Sequence, residues 1–434
     1  MPQTDAWHHF LSDARVGDPY ATKPSSEPEA PRSEFHKDYD RIIFSAAFRR
    51  LSQKTQVVPF PETAYTRQRL THSLEVSCVG RSLATHIYHL LGDDISSVCA
   101  QGDFEAVVAA ACLAHDIGNP PFGHFGEKAI QQWAKKNRDS PGLRDLNDTQ
   151  RRDIERFEGN AQTFRILSRL EMSRQGGMRL TGATLGAVIK YPTFSPLANQ
   201  HRHRKHGCFD DDRELFEETF ATIERTPDAN GEFARHPLAF LSEAADDICY
   251  AIIDLEDGCK SGLIPIDEGC EVLEGLGDIR LLGKDMPPTD KMAMGRALAI
   301  NELAQQCVEV FRQNTAAIID GTFDGSLIKH CPAAEAYAAA TSLVRERVFF
   351  NERVLEMEAA GYAAIQGLLD VLLPAAMAES PDGYDSHVVK LTGIQTVSGL
   401  SAYKRILACT DYVSGMTDRS CLGLFQKLSG RRTG

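Results

Sequence analysis

The run Ala114-His115-Asp116-Ile117-Gly118-Asn119-Pro120-Pro121-Phe122-Gly123-His124-Phe125-Gly126-Glu127 constrains this chain more than any other stretch. An apolar helical pattern over 104–115 runs straight into it. Gly-Asn-Pro-Pro then stops the helix, because proline cannot continue one and biases the residue before it away from helical backbone. The small apolar side chains of that helix predict burial on all sides. A buried helix ending on adjacent His and Asp brings two metal-ligand types to one mouth. Two further segments extend the pattern. Arg69-Leu70-Thr71-His72-Ser73-Leu74-Glu75 opens a predicted helix over 70–91, with an apolar stripe at Leu74, Cys78, Leu83, Ile87 and Leu91. Glu243-Ala244-Ala245-Asp246-Asp247 lies on a predicted helix over 237–257, with Pro237 in its first turn. His, His-Asp and Asp are thus offered by three separate helices.

Helical periodicity continues over 38–51, 127–136, 157–170, 180–190, 292–310, 334–357, 361–373 and 403–416. Thr55, Val57, Val58 and Tyr65 favour strands and predict one short β-hairpin, 54–60 with 64–67, across Pro61-Glu62. The expected class is all-α with that hairpin. Residues 1–33 are polar and carry Pro19, Pro24, Pro28 and Pro31, which predicts a short amphipathic start and a flexible arm. The ligand segments fall within 34–275, and 276–434 reads as a helical region packed on that core, with a regulatory or oligomerisation role. The stretch 201–218 is rich in His and Arg, then in Asp and Glu, and predicts an exposed excursion.

A chain of 434 residues can bury a large core. Its net charge of -13 argues against a protein that coats nucleic acid, though local arginines can still dominate one pocket. Eleven cysteines without a Cys-x-x-Cys pair predict reduced, buried thiols in a cytoplasmic protein. The polar N-terminus is unlike a signal peptide, and no apolar run reaches the ~20 residues that span a bilayer, so no membrane partner is expected.

His72, His115, Asp116 and Asp246 make a mixed nitrogen and oxygen donor set. Mn²⁺, Fe²⁺, Co²⁺, Ni²⁺ or Zn²⁺ suits such a set, Mg²⁺ fits at lower affinity, and Ca²⁺ prefers oxygen alone. On a six-coordinate ion this set leaves positions open for water and a phosphate oxygen. His124 and Glu127, three apart, have the types of a general acid–base pair, the acid orienting the imidazole. The bland alternative is a capping arrangement around Glu127. Arg49, Arg50, Lys54, Arg67 and Arg69 cluster just before His72 and suit a polyphosphate. Asp246, Tyr250 and Asp254 stand at i, i+4 and i+8, on one stripe of their helix.

These stretches resemble the HD-domain superfamily of metal-dependent phosphohydrolases, and more narrowly the bacterial deoxyguanosinetriphosphate triphosphohydrolases and their dGTPase-like relatives. The matching motifs are Phe48 to Val57, Arg67 to Glu75, His115 to Glu127, Phe157-Glu158-Gly159-Asn160-Ala161-Gln162, Lys190-Tyr191-Pro192, Glu243 to Tyr250, and Asp411-Tyr412-Val413-Ser414-Gly415-Met416-Thr417-Asp418. The resemblance implies a helical HD-domain core and one reaction, dNTP plus water giving deoxynucleoside and tripolyphosphate. It implies metal binding by His72, His115, Asp116 and Asp246, with Mn²⁺ or Mg²⁺ foremost, and a catalytic pair in His124 and Glu127. It places Arg69, Lys190 and Tyr250 on phosphates and Gln53 and Asp254 near the 3′-hydroxyl. Asn119, Asn160 and Tyr191 complete the implied substrate contacts. Some relatives assemble as hexamers regulated by a second nucleotide or by single-stranded DNA, so a homo-oligomer with such an effector is expected, with Tyr403, Lys404 and Arg405 as the regulatory neighbourhood. The competing readings are an HD phosphohydrolase acting on a nucleoside monophosphate, cyclic nucleotide or alarmone, and a nucleotide or single-stranded DNA sensor.

Overall fold

The computed structural model describes residues 3–18, 32–56, 67–173, 177–196, 205–277, 286–394 and 399–431. Helices carry the fold throughout, and among the described residues β-structure is limited to three isolated bridges, Arg15 with Thr181, Thr55 with Gln68 and Phe194 with Cys208. The class is all-α, as expected. Most of the expected hairpin falls at 57–66, outside the described residues. What is described is its base, where the Thr55–Gln68 bridge is joined by an Arg69 N–H donating to the Lys54 carbonyl at 3.2 Å.

The helices Arg69–Leu91, Gln101–Ala114 and Ala239–Lys260 pack together as the heart of one apolar cluster. Their interiors explain the close approach. Ala106 through Ala114 are all buried, and Gly80 leaves room for Cys112, whose Sγ would lie 2.4 Å from any Cβ there. Close-packed helix axes keep inward-pointing ligands from different helices within reach of one another. Trp7 and Phe10, on the helix Gln3–Phe10, are buried in the same cluster, so the amphipathic start is docked. A second cluster forms around Gly123–Lys136, Glu352–Met377, Ala402–Ser414 and Asp418–Leu428. A third, under Phe48, Ile117, Phe164, Leu185, Phe216 and Phe220, fills the space below the His-Asp turn.

Several boundaries differ from the sequence-based expectation. The helix carrying His124 starts at Gly123, because Phe122 and Gly123 both take left-handed backbone, φ 62° and 56°, and turn the chain immediately after Pro120-Pro121. The third ligand helix starts at Ala239, beyond Pro237. The periods expected over 334–357 and 361–373 resolve into Ala334–Val344, a wide turn over Arg345–Phe349, and one long helix, Glu352–Met377. That last helix corrects the expectation on apolar length. An 18-residue window within it has a mean hydropathy of 1.3, which by length and composition alone is enough to cross a membrane. Here Ile365, Leu368, Leu369 and Leu372 are instead buried in the second cluster.

The expected excursion at 201–218 is also corrected where it is described. Residues 201–204 lie outside the described set, but His206, Cys208, Phe209 and Asp212 are buried. Arg165 explains this burial of acids, since its guanidinium donates to Asp212 and Asp211 at 3.0 Å and to Asp411 at 2.9 Å. Asp211 is accordingly held below the usual carboxylate range, Arg165 outweighing the opposing effect of burial. The cysteines are free; Cys78 is exposed and Cys99 half-buried, while the remaining nine are buried.

Candidate metal centre and the cleft around it

The helix Gln101–Ala114 delivers its last turn to the centre of the first cluster, and His115 and Asp116 follow directly. His115 Nδ1 lies 2.6 Å from the Cys112 carbonyl. That carbonyl can only accept, so Nδ1 carries the proton and Nε2 presents its lone pair. Nε2 is buried without a hydrogen-bond partner. Nearby, His72 and His115 face each other edge-on with ring centroids 5.5 Å apart. Ligand atoms of His72, His115 and Asp116 lie within 4.8 Å of one another. Asp246 Oδ1 reaches across from the third helix, 3.1 Å from His72 Nε2 and 3.5 Å from His115 Nε2.

The local field favours positive charge. Burial pulls the His115 imidazole down, but the Asp116 and Asp246 carboxylates push it up to about 9, so a proton takes the Nε2 lone pair near neutral pH unless a cation displaces it. Burial opposes ionisation of Asp246 as well, yet the two imidazoles hold it well below the usual carboxylate range. Two carboxylates, two imidazoles and an orphaned, correctly tautomerised Nε2 fit a divalent cation. Around them, Arg69 donates to Asp116 Oδ2 at 2.6 Å and the Asn119 amide donates to Asp116 Oδ1, fixing that carboxylate as an outer shell should.

This cluster floors a cleft of about 550 Å³. Arg69, Asn119, Asn160, Lys190, Tyr191 and Tyr250 all line it, as do His124 and the candidate ligands His72, His115, Asp116 and Asp246. Lys190 pairs with Glu243 at 3.2 Å and is held charged, Glu243 outweighing the cost of burial. Two expected contacts are elsewhere. Gln53 is exposed and outside the cleft lining. Asp254 is fully buried one turn beyond Tyr250, also outside the lining, and neither carboxylate oxygen has a partner. Burial, with Asp257 and Asp246 nearby, pushes it well above the usual carboxylate range.

His124 and Glu127 form a hydrogen-bonded pair, Nδ1 to Oε2 at 2.7 Å. The His124 side chain is 68% exposed and that of Glu127 only 6%, so the acid is the fixed member. Its other oxygen accepts the Gly159 N–H at 2.7 Å. Glycine is required there, because a Cβ would sit 2.8 Å from that oxygen and 2.4 Å from Asn119 Oδ1. Burial alone would raise the Glu127 pKa, but His124, Lys205 and the Gly159 N–H bring it below its ordinary value.

Several cleft residues carried no signal in the chain. Lys205, at the edge of the His- and Arg-rich stretch, faces Glu158 at 3.4 Å and lies in the field of Glu127. Its neighbour Glu158 is pushed up to about 7 by burial and by Glu127. The far wall comes from beyond residue 275: Arg345, Phe349, Phe350 and Glu358, with Phe349 stacked on Tyr250 at 5.9 Å. Arg345 lies over the Phe350 ring. The adjacent aromatics Phe349-Phe350 were the one available cue, and periodicity cannot say which way a helix break turns them.

Residues 69–173 match the HD domain family. The chain is 37% identical to a deoxyguanosinetriphosphate triphosphohydrolase-like protein of Pseudomonas aeruginosa (strain LESB58), over 98% of this chain and 99% of that one. It is 40% identical to a protein of the same description from Synechocystis sp., with the same coverage. A deoxyguanosinetriphosphate triphosphohydrolase of Yersinia enterocolitica is 33% identical over 84% of this chain and 81% of its own. At this identity over nearly its whole length, the chain belongs to the HD-domain, deoxyguanosinetriphosphate triphosphohydrolase-like family of phosphohydrolases.

Proposed function

We propose that this chain hydrolyses deoxynucleoside triphosphates to deoxynucleoside and tripolyphosphate. The observation that carries the reading is one cleft that joins a buried cation site to Arg69, Lys190 and Lys205 and then to the aromatic wall of Tyr250, Phe349 and Phe350. Cations at one end suit three phosphates, and flat rings at the other suit a base. The names borne by the relatives point the same way.

A divalent ion, Mn²⁺ or Mg²⁺ foremost, held by His72, His115, Asp116 and Asp246 would polarise a phosphoryl oxygen and activate water. The remaining work falls to the chain. Water adds to the α-phosphorus, the bond from phosphorus to the 5′-oxygen breaks, the water loses a proton and the 5′-oxygen gains one. His124 is the cleft-lining histidine outside the ligand group, and its Nε2 is free for that proton transfer while Glu127 orients the ring. Arg69, Lys190 and Lys205 offset the negative charge of the three phosphates, which would otherwise repel the incoming water oxygen and grows as tripolyphosphate is formed. The outer carboxylates Glu243 and Glu158 hold two of these cations in place between turnovers.

The test is product analysis by chromatography and mass spectrometry, with each dNTP alone and all four mixed, under Mn²⁺ or Mg²⁺. Deoxynucleoside and tripolyphosphate in equal amounts are expected. Deoxynucleoside monophosphate with pyrophosphate would overturn the assigned bond, and turnover of monophosphates or cyclic nucleotides alone would move the substrate class. Turnover that appears only in the mixture would support a second, activating nucleotide.

A further inference from the structure

The motif Asp411 to Asp418 has no residue lining the cleft, yet three of its groups grip the loops that form it. Asp411 accepts from Gln162 and Arg165, each at 2.9 Å, next to the Gly159 turn. The Ser414 carbonyl accepts from Lys54 Nζ at 2.8 Å, and the same ammonium donates to the Asn119 carbonyl at 2.6 Å. Asp418 accepts the Phe122 N–H on Oδ1 at 3.0 Å and the Thr55 N–H on Oδ2 at 2.8 Å. Asp418 and Lys54 are 1% and 2% exposed, so both links are shielded from water.

What they hold is a strained turn. Phe122 is left-handed, at φ 62°, and Gly123 follows at 56°. A left-handed conformation is unfavourable for a residue with a side chain, so it persists only where its surroundings impose it. Asp418 fixes the Phe122 amide, and Gly361 fits the Phe122 ring so closely that a Cβ there would lie 2.4 Å from Cδ2. His124 is two residues along, in the first turn of the helix that this conformation launches.

We infer that Asp418 is a positioning residue for His124: by holding the left-handed Phe122–Gly123 turn against the Thr55 strand stub and the C-terminal helices, it sets where the imidazole stands over the cleft. The kinetic half of this inference rests on the proposed role of His124; the structural half does not. It also gives the C-terminal region a part in building the active cleft.

The experiment compares full-length wild type with Asp418→Asn. Asparagine keeps the shape, but its amide nitrogen must face one of the two N–H groups that the carboxylate accepts. Hydrogen exchange read by mass spectrometry should speed up at least about tenfold in the peptide covering 119–127 and stay unchanged across 105–114. Because ~1 Å of misplacement can cost ~100-fold in rate, kcat should fall by about tenfold or more, with KM within about twofold and metal content unchanged. Unchanged exchange and kcat in a folded variant would overturn the inference. So would a joint loss of kcat, KM and metal content, which a general loss of structure produces. If wild type releases no tripolyphosphate, the proposed function fails while the exchange arm still decides the positioning. Should Asp418→Asn not fold, Lys54→Met, which removes the ammonium bridging Asn119 and Ser414, carries the same two expectations.

Discussion

The candidate metal centre and His124 line one cleft, yet that centre and the His124–Glu127 pair are built on opposite plans. The four proposed ligand residues lie on or directly after three packed helices of one apolar cluster, and their carboxylates and imidazoles offset one another's charge. The pair sits at a helix start on the seam between clusters. Its imidazole is exposed, its acid is buried, and its backbone is left-handed just before it. A cation site needs fixed donors and dense packing. A proton-transfer group needs one fixed end and one free end. The first plan tolerates no change to a donor, and the second is sensitive to the turn beneath it.

The largest effect should come from removing a ligand. In Asp246→Ala, metal content measured by plasma emission should fall close to zero. Turnover should drop by more than the ~10²–10⁴-fold that a general acid–base group supplies. Full metal content in that variant would move the ligand role to Asp247, whose carboxyl burial and the neighbouring Glu243 push up to about 7. His124→Ala should behave differently: a loss of ~10²–10⁴-fold in kcat with metal content unchanged. If it instead loses metal, the two regions are one unit and the comparison fails.

A smaller effect separates the turn from the imidazole. Gly123→Ala places a Cβ 2.5 Å from Arg69 Nη2 and gives a side chain to a left-handed residue. The backbone term alone is about 1–2 kcal/mol of stability. Arg69 must also shift while paired to Asp116, so kcat and metal affinity should both decline modestly. A loss of stability without any kinetic change would mean that Arg69 relaxes freely and that the turn does not transmit to the ligands.

Much of the candidate metal centre is legible in the chain, because its residue types stand in local runs. A buried helix ending in His-Asp, a His near the start of another and an Asp on a third each stand out by residue type. The His124–Glu127 pair was legible for the same reason, as an i, i+3 spacing after a helix breaker. The cleft's far wall was not. Arg345, Phe349, Phe350 and Glu358 reach it through a break between two helices, and helical periodicity carries no information on the direction of such a break. In the stretch 201–218 the density of charge suggests exposure, whereas His206, Cys208, Phe209 and Asp212 are buried. Arg165, about forty residues earlier, buries Asp211 and Asp212 by pairing with them, and a local reading cannot find a partner at that separation. Asp418 was visible as part of a motif, but its two backbone partners, Thr55 and Phe122, lie some three hundred residues away in sequence.

The smallest expected effect is a pair of opposite pH dependences on the two acids beside Lys205. Glu127 is held below its ordinary value of 4.5, because His124, Lys205 and the Gly159 N–H outweigh burial. A carboxyl whose folded pKa is lowered contributes stability above its unfolded pKa and loses it as pH falls through the folded one. The difference in Tm between wild type and Glu127→Gln should therefore be present at pH 6 and shrink below about 4.5. The metal-site carboxylates also titrate at acid pH, but they are common to both proteins and cancel in the difference. Glu158 has the reverse sign. Burial and the Glu127 charge raise it to about 7, so its contribution is complete below 4.5 and is lost as pH rises through 7. Glu158→Gln should leave Tm at pH 5 nearly unchanged and gain on wild type at pH 8. Calorimetric scans from pH 4 to 8 read both limbs. If both variants track wild type across that range, neither acid senses its surroundings as described, and the fixed end of the proton-transfer pair must be sought elsewhere on the cleft wall.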